Sequence, residues 1–332
     1  MIFVFEESPN SRVIWDYFNE NFGQMLAPVG VLKACALYSA RLPNRFNLFC
    51  VAPVGQFKSA TSIIVQQFFP KTYYIDMGSD FTIHAIQSHY GKKIDRKCLM
   101  VNDATLLFST KEKRAKERLI NALAELSSEG YYKYSERQSK FELYGRISII
   151  MNMSLESYKH NRGKLFESTF LDRFLKVFYK MPPKELVNYC RMYFNKKELK
   201  VGESKVEKLP KRLTRRCDIS EDYREVLVGF SKDISAISLT SLTRTEEQIL
   251  ALAKSHACLN GRAEVDDDDI DFVRSIISFC SDPISPNQEK IVRLYMQGRS
   301  YKDICLLLNM DYKTYKPYVS RVIQTAKLRG IV

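Results

Sequence analysis

The octet Ala52 to Ser59, APVGQFKS, holds the residues with the clearest chemical purpose. Its spacing follows the phosphate-binding pattern G-x-x-x-x-G-K followed by Ser or Thr. In that pattern backbone N–H groups wrap phosphates, the lysine reaches the outer phosphates and the hydroxyl binds Mg²⁺. Lys58 and Ser59 occupy the last two places and Gly55 lies within the loop, while Ala52 and Phe57 stand where the two glycines usually are. Phe46 to Val51 reads as a buried strand and Ala60 to Phe69 as a helix, so the strand–loop–helix setting is right. Taken alone, the octet also fits an ordinary strand-to-helix turn that carries Lys-Ser by chance.

Two further apolar runs end in polar residues. Lys97 to Asp103 reads as a buried strand with its carboxylate at the carboxyl end, and Arg146 to Asn152 as another ending in an amide. A buried carboxylate needs a cation or hydrogen-bond donors. If these strands run parallel, a ligand sits beyond their carboxyl ends, where Lys58, Asp103 and Asn152 all fall. Between the last two, Tyr131 to Glu136 and Ser139 to Leu143 predict a β-hairpin. Its Lys133, Arg137 and Lys140 alternate with Tyr131, Tyr132, Tyr134 and Phe141, the mixture that single-stranded nucleic acid contacts use. A merely solvated hairpin fits the same residues.

Helices at 11–23, 28–40, 59–69 and 111–128 surround these runs, with a short strand at Thr72 to Met77. Beyond the third buried run the chain to about residue 280 reads as helical. Lys and Arg number 51 against 38 Asp and Glu, a net charge of +13 that implies a polyanionic partner for a folded, 332-residue chain of two or three domains. The eight cysteines show no metal-ligand spacing and read as reduced core residues, which with the absence of a signal or membrane segment predicts a cytoplasmic protein with no membrane role.

Residues 191–216 carry ten Lys/Arg against three Glu, which suits either a solvated linker or a segment facing nucleic acid. Asp266 to Asp269 predicts a helix cap. After the Pro283 and Pro286 boundary, residues 286–332 hold nine Lys/Arg and three Asp/Glu in three short helical segments, the arithmetic of a helix-turn-helix. Lys313, Thr314, Tyr315, Lys316, Tyr318, Ser320 and Arg321 decorate the start of its third helix. Asp311 can cap this helix, which then runs to Arg329 with Pro317 inside it, unless it begins later, near Lys316, which would put the proline in the first turn.

In order and spacing these segments resemble the AAA+ ATPases over roughly residues 10–280, and most of all the ATPase module of minichromosome maintenance (MCM) helicases and their archaeal or mobile-element relatives. Pro28 to Lys33 looks like the helix before the phosphate loop, Ala52 to Ser59 like Walker A, Leu99 to Asp103 like Walker B and Asn152 like sensor 1. Phe170 to Phe174 is similar to the arginine-finger segment, which would make Arg173 the finger, and Arg244 is a possible sensor 2 in a helical lid from Arg244 through Ile270. The 131–143 hairpin resembles the DNA-touching hairpin of the same group.

The resemblance implies an α/β fold, a P-loop AAA+ parallel sheet flanked by helices, with a helical lid and an all-α helix-turn-helix domain. The divisions are a core at 1–190, a basic linker at 191–218, a lid at 219–281 and the tail at 284–332. It implies ATP and Mg²⁺ as cofactors, with Lys58, Gly55 and Ser59 on the phosphates, Ser59 and Asp103 on the metal, and Asn152, Arg173 and Arg244 as further catalytic groups. It also implies a DNA partner and a homo-oligomer, a ring being possible, because a finger acts on a neighbour's nucleotide. Asn102-Asp103 replaces the usual Asp-Glu pair, which implies weakened hydrolysis on the order of a thousandfold. The competing expectation is a DNA-binding regulator or inactive ring subunit whose nucleotide site has decayed.

Overall fold

The computed structural model describes residues 8–78, 81–108, 113–136, 139–167, 170–187, 209, 211–238, 240–280 and 286–328. Five strands form one parallel sheet: β1 (Asn47–Ala52), β2 (Tyr74–Asp76), β3 (Cys98–Val101), β6 (Ser148–Ser154) and β7 (Phe174–Phe178), in the order β2-β3-β6-β1-β7. β4 (Tyr131–Glu136) and β5 (Ser139–Tyr144) pair separately as an antiparallel hairpin.

Every residue of β1 is buried, as expected of a strand covered on both faces. Leu48, Cys50 and Ala52 face a core built with α1 (Pro9–Phe22), α2 (Leu26–Ser39) and α3 (Lys58–Gln67). Phe49 and Val51 face the opposite core, shared with α4 (Ile83–His89), α5 (Lys113–Ser128), the hairpin and α6 (Leu155–Glu167). Helix α2 is buried along its whole length, and it packs so closely on α1 that a Cβ on Gly30 would stand 2.2 Å from the Phe18 ring.

The carboxyl-terminal half is helical. α7 (Glu221–Ser238), α8 (Leu242–Leu259) and α9 (Asp267–Ile277) extend the first core, through Leu227, Ile249, Leu252, Phe272 and Val273 among others. The acidic run caps α9 as expected: Asp266 accepts from the Asp269 N–H, and the Asp269 carboxylate accepts from the Asp266 N–H. α10 (Pro286–Met296), α11 (Tyr301–Leu307) and α12 (Tyr312–Leu328) enclose a third core of Ile291, Val292, Ile304, Val319, Val322 and Ile323, joined to α7 through Ala236.

Two expectations are corrected, and of the two starts open for the last helix the earlier is found. The stretch after Asn152 is not all helix: Phe174 to Phe178 is the fifth strand, hydrogen-bonded beside β1. β6 continues two residues past Asn152 to Ser154, so the amide is inside the strand and not at its tip. α12 starts at Tyr312 and keeps Pro317 in its interior, with the proline exposed to solvent. Its ring removes one helical hydrogen bond and crowds the carbonyl four residues back, that of Lys313.

Candidate functional site

The loop after β1 takes its shape from two left-handed residues, Gly55 (φ +75°) and Phe57 (φ +57°). Glycine adopts that region freely and nothing stands within 4 Å of a Cβ at Gly55, whereas a phenylalanine does so only when its ring is held. Phe57 is held: its ring packs on Phe22 at 5.9 Å, turned into the core and away from the loop mouth. The neighbouring Gln56 is buried and accepts from the Met181 N–H at 2.6 Å. An aromatic at the second glycine position therefore anchors the loop and leaves the mouth open.

Lys58 opens α3 and curls back over the loop, donating to the carbonyl oxygens of Ala52 at 2.9 Å and Pro53 at 2.7 Å. Burial lowers its ammonium pKa, with Glu156 and Asp103 acting in the opposite sense. The Lys58 charge is thus within electrostatic reach of both carboxylates. Ser59 donates to the Asn102 carbonyl at 2.8 Å, which ties the first turn of α3 to the tip of β3. Asp103 is exposed and lies two residues beyond β3, so it is no buried strand-end carboxylate; its Oδ1 accepts from the Thr105 N–H at 2.9 Å. Asn102 donates to both oxygens of Asp76 at 3.2 and 3.4 Å, and its own Oδ1 is buried with no partner among the described residues.

Asn152 does not face this crevice. It is 1% exposed, and its amide is committed to Lys33, which donates to Oδ1 at 2.9 Å, and to Ser62, which accepts from Nδ2 at 3.0 Å. Lys33 is the residue that pattern reading passed over. Fully buried in α2, its Nζ also donates to the Lys58 carbonyl at 2.6 Å, to Thr61 Oγ1 at 2.7 Å and to Ser62 Oγ at 2.9 Å. Burial brings its pKa down to about 8, eased by Cys50 and reinforced by Lys58. The only sequence signal was a lysine inside an otherwise apolar helical run. Glu156, in the first turn of α6, was missed for a similar reason: it belongs to no motif.

A cavity of about 300 Å³ is lined by Trp15, Met25, Pro28, Glu185, Arg274 and Phe279 among others, with no loop residue in its wall. Its walls are joined to the loop, since α1 brings Phe22 onto Phe57 and the segment after Met181 is held by Gln56.

Arg173 and Arg244 sit elsewhere. Arg173 precedes β7, and its carbonyl accepts from Asn47 Nδ2 at 3.0 Å at the start of β1, whereas Lys58 follows the end of that strand. A six-residue strand advances about 17 Å. The two arginines line a polar cavity of about 280 Å³ with Arg45, Asn47 and Ser128; Arg173 Nε donates to Ser128 Oγ at 2.9 Å, and Arg244 pairs with Glu247 at 3.4 Å. Burial and the adjacent Arg244 charge both lower the Arg173 pKa. The structure therefore divides the site residues between opposite ends of the sheet.

On the hairpin, Lys133 pairs with Glu142 at 3.4 Å across the strands, and Lys140 is exposed. Tyr134 and Phe141 stack at 4.8 Å under His84, and Tyr132 is buried, so these three rings pack inward; Tyr131 and Tyr144 remain on the outer face, 4.9 Å apart. Arg137 lies outside the described residues. At the start of α12, Lys313, Thr314, Tyr315, Lys316 and Arg321 are all exposed. Asp311 caps the helix, as expected, by accepting from the Thr314 N–H and hydroxyl at 2.8 and 2.7 Å, which commits the Thr314 side chain to the cap. Lys316 lies over the Tyr312 ring at 5.6 Å.

Among the described residues no group of three or more His, Cys, Asp or Glu is placed to hold a metal ion, and no helix is long and apolar enough to cross a membrane. Neither a protein-family model nor a curated protein matches this chain.

Proposed function

We propose that the chain is an AAA+-type ATP-binding protein that acts on DNA as an oligomer, with hydrolysis weakened relative to a full Walker B site. The observation that carries this reading is the junction of Lys58, Ser59 and Asp103. A left-handed loop follows β1, its lysine lies in the field of two carboxylates, and its serine is bonded to the tip of β3. Phosphoryl transfer asks for that set: an amine for the outer phosphates, a hydroxyl and a carboxylate for the metal. Ser59 and Asp103 would hold Mg²⁺, which on binding would neutralise phosphate charge. The ammonium now resting on Ala52 and Pro53 would turn outward to the phosphates, and the cavity bordered by Trp15, Met25 and Phe279 would take the base.

The separation of Arg173 and Arg244 from Lys58 supports a role in trans. Neither can reach its own loop across the sheet, and both lie in one cavity that a neighbouring copy's nucleotide could enter. The exposed Lys313, Tyr315, Lys316 and Arg321 at the head of α12 support helix-turn-helix binding to DNA, in which side chains at the start of the recognition helix reach bases and phosphates. The outer face of the hairpin offers Tyr131, Tyr144 and Lys140 as a second contact.

A second reading, a DNA-binding subunit with a decayed nucleotide site, is favoured by one observation: Asn152, the sensor-like amide, is sealed behind the loop by Lys33. Titration of wild type and Lys58→Ala with Mg-ATP separates the two. The ATPase reading expects saturable binding by wild type and at least a tenfold loss in the variant. Absence of binding by either protein, together with retained DNA binding, would establish the second reading instead.

A further inference from the structure

Residues 211–218 form a strap across the helical half. Asn10 and the Lys211 backbone exchange hydrogen bonds at 3.0 and 2.8 Å, and the Tyr38 hydroxyl donates to the Thr214 carbonyl at 2.5 Å. The strap then follows the end of α8: the Thr214 N–H donates to the Cys258 carbonyl at 3.1 Å and the Asp218 N–H to the Ala263 carbonyl at 2.8 Å. This course brings Cys217 onto Cys258. The two side chains interact and line one cavity of about 250 Å³ with Arg215, Arg216 and Lys254, while Cys217 Sγ donates to the Asp218 carbonyl at 3.3 Å. Cys217 is partly exposed, whereas Cys258 is reached only through the cavity.

We propose that Cys217 and Cys258 are a reversible oxidation site, a dithiol that hydrogen peroxide entering this cavity converts to a disulfide. Cys258, as thiolate, attacks a peroxide oxygen. The S–O bond forms, the O–O bond breaks, and the hydroxide released takes up the proton that Cys258 gave and leaves as water. Cys217 then attacks the sulfenic sulfur of Cys258; the S–S bond forms, the S–O bond breaks, and the second hydroxide leaves as water with the Cys217 proton. Two thiols lose two electrons and one peroxide becomes two waters.

The surroundings suit these roles. The neighbouring Cys217 side chain, with Thr214 and the Lys254 charge, holds the Cys258 thiol below its ordinary range against the opposing effects of burial and of the Asp269 carboxylate. Thiolate character sets the rate of such attack. The other described cysteines, Cys35, Cys50, Cys98, Cys280 and Cys305, are buried, and burial pushes each of their thiols up. The disulfide would staple the strap to α8 and so fix the helical half against α1 and α2.

The test exposes the native full chain to stoichiometric hydrogen peroxide, quenches with iodoacetamide and maps the peptides by mass spectrometry. The expected result is a Cys217–Cys258 cross-link that dithiothreitol reverses, with the other thiols still alkylated. In Cys217→Ser the cross-link is lost and Cys258 is trapped by dimedone as a sulfenic acid. Unchanged alkylation of both cysteines in wild type, a cross-link through another cysteine, or pairing seen only after urea would overturn the proposal. The wild-type arm decides the matter even if the serine variant does not fold.

Discussion

At the residue scale, the buried ammonium of Lys33 ties the start of α3, just after the Gly55 loop, to β6. Four oxygens surround three N–H bonds, and the groups they belong to come from α3 and β6. The folded pKa of about 8 lies below the ordinary lysine value of 10.5, so between these limits the unfolded chain binds more protons than the folded one. Stability contributed through this group therefore rises with pH over that window, by roughly 3 kcal/mol, as the cost of burying the charge is relieved. Urea unfolding of wild type and Lys33→Met at pH 7.5 and pH 10 measures it. Wild type is expected to gain on the variant at the higher pH, and parallel profiles would remove the argument. Asp269 is a second buried group with a clear expectation. It accepts from His256 at 2.6 Å and Arg262 at 2.6 Å, partners that hold its carboxyl low against its burial. Asp269→Ala would remove the carboxylate shared by His256 and Arg262, leaving Arg262 its pair with Asp266 at 2.8 Å, and should cost about 1–3 kcal/mol in chemical denaturation. A loss below about 1 kcal/mol would mean the network relaxes without it.

At the scale of elements, strands with uniform apolar character were legible because a parallel sheet covered on both faces asks for nothing else. Phe46 to Val51 read correctly for that reason, and Lys97 to Asp103 did so up to Val101, where β3 ends two residues short of the expected Asp103. β7 was not legible: Phe174-Leu175-Lys176-Val177-Phe178 has a lysine at its centre, and only the structure shows Lys176 buried and donating to the Ser238 carbonyl at 3.0 Å. The end of β6 was misplaced because a polar Asn152 looks like a strand terminus when its partner, Lys33, is more than a hundred residues away. Pro317 left two starts open for the last helix, and the Asp311 cap decides for the earlier one. The loop at Gly55 permits a prediction at this scale. Its φ of +75° favours glycine with open space around it, so Gly55→Ala should cost about 1 kcal/mol by backbone strain alone. A neutral result in thermal unfolding would show that the loop takes another conformation in solution.

At the scale of the molecule, the sheet holds two chemical clusters apart, Lys58 with Ser59 and Asp103 beyond one end and Arg173 with Arg244 at the other. Under the proposed function one chain offers half of two sites, which an oligomer would complete. Mixing Lys58→Ala with Arg173→Ala should restore part of the ATP turnover that each lacks alone; mixtures no more active than the separate variants would argue against a shared site. The basic tail adds a separate expectation. Replacing Lys313, Lys316 and Arg321 by Ala should reduce the slope of log affinity for duplex DNA against log salt by about two to three, the signature of lost phosphate contacts; an unchanged slope would move the DNA surface elsewhere. The central claim is that the loop after β1 cradles a triphosphate, and a crystal structure with Mg²⁺ and a non-hydrolysable ATP analogue tests it most directly. The account expects Lys58 Nζ to have exchanged the Ala52 and Pro53 carbonyls for phosphate oxygens, with Ser59 and Asp103 around the metal. A lysine still bonded to those carbonyls at saturating analogue, with the nucleotide bound elsewhere, would contradict it.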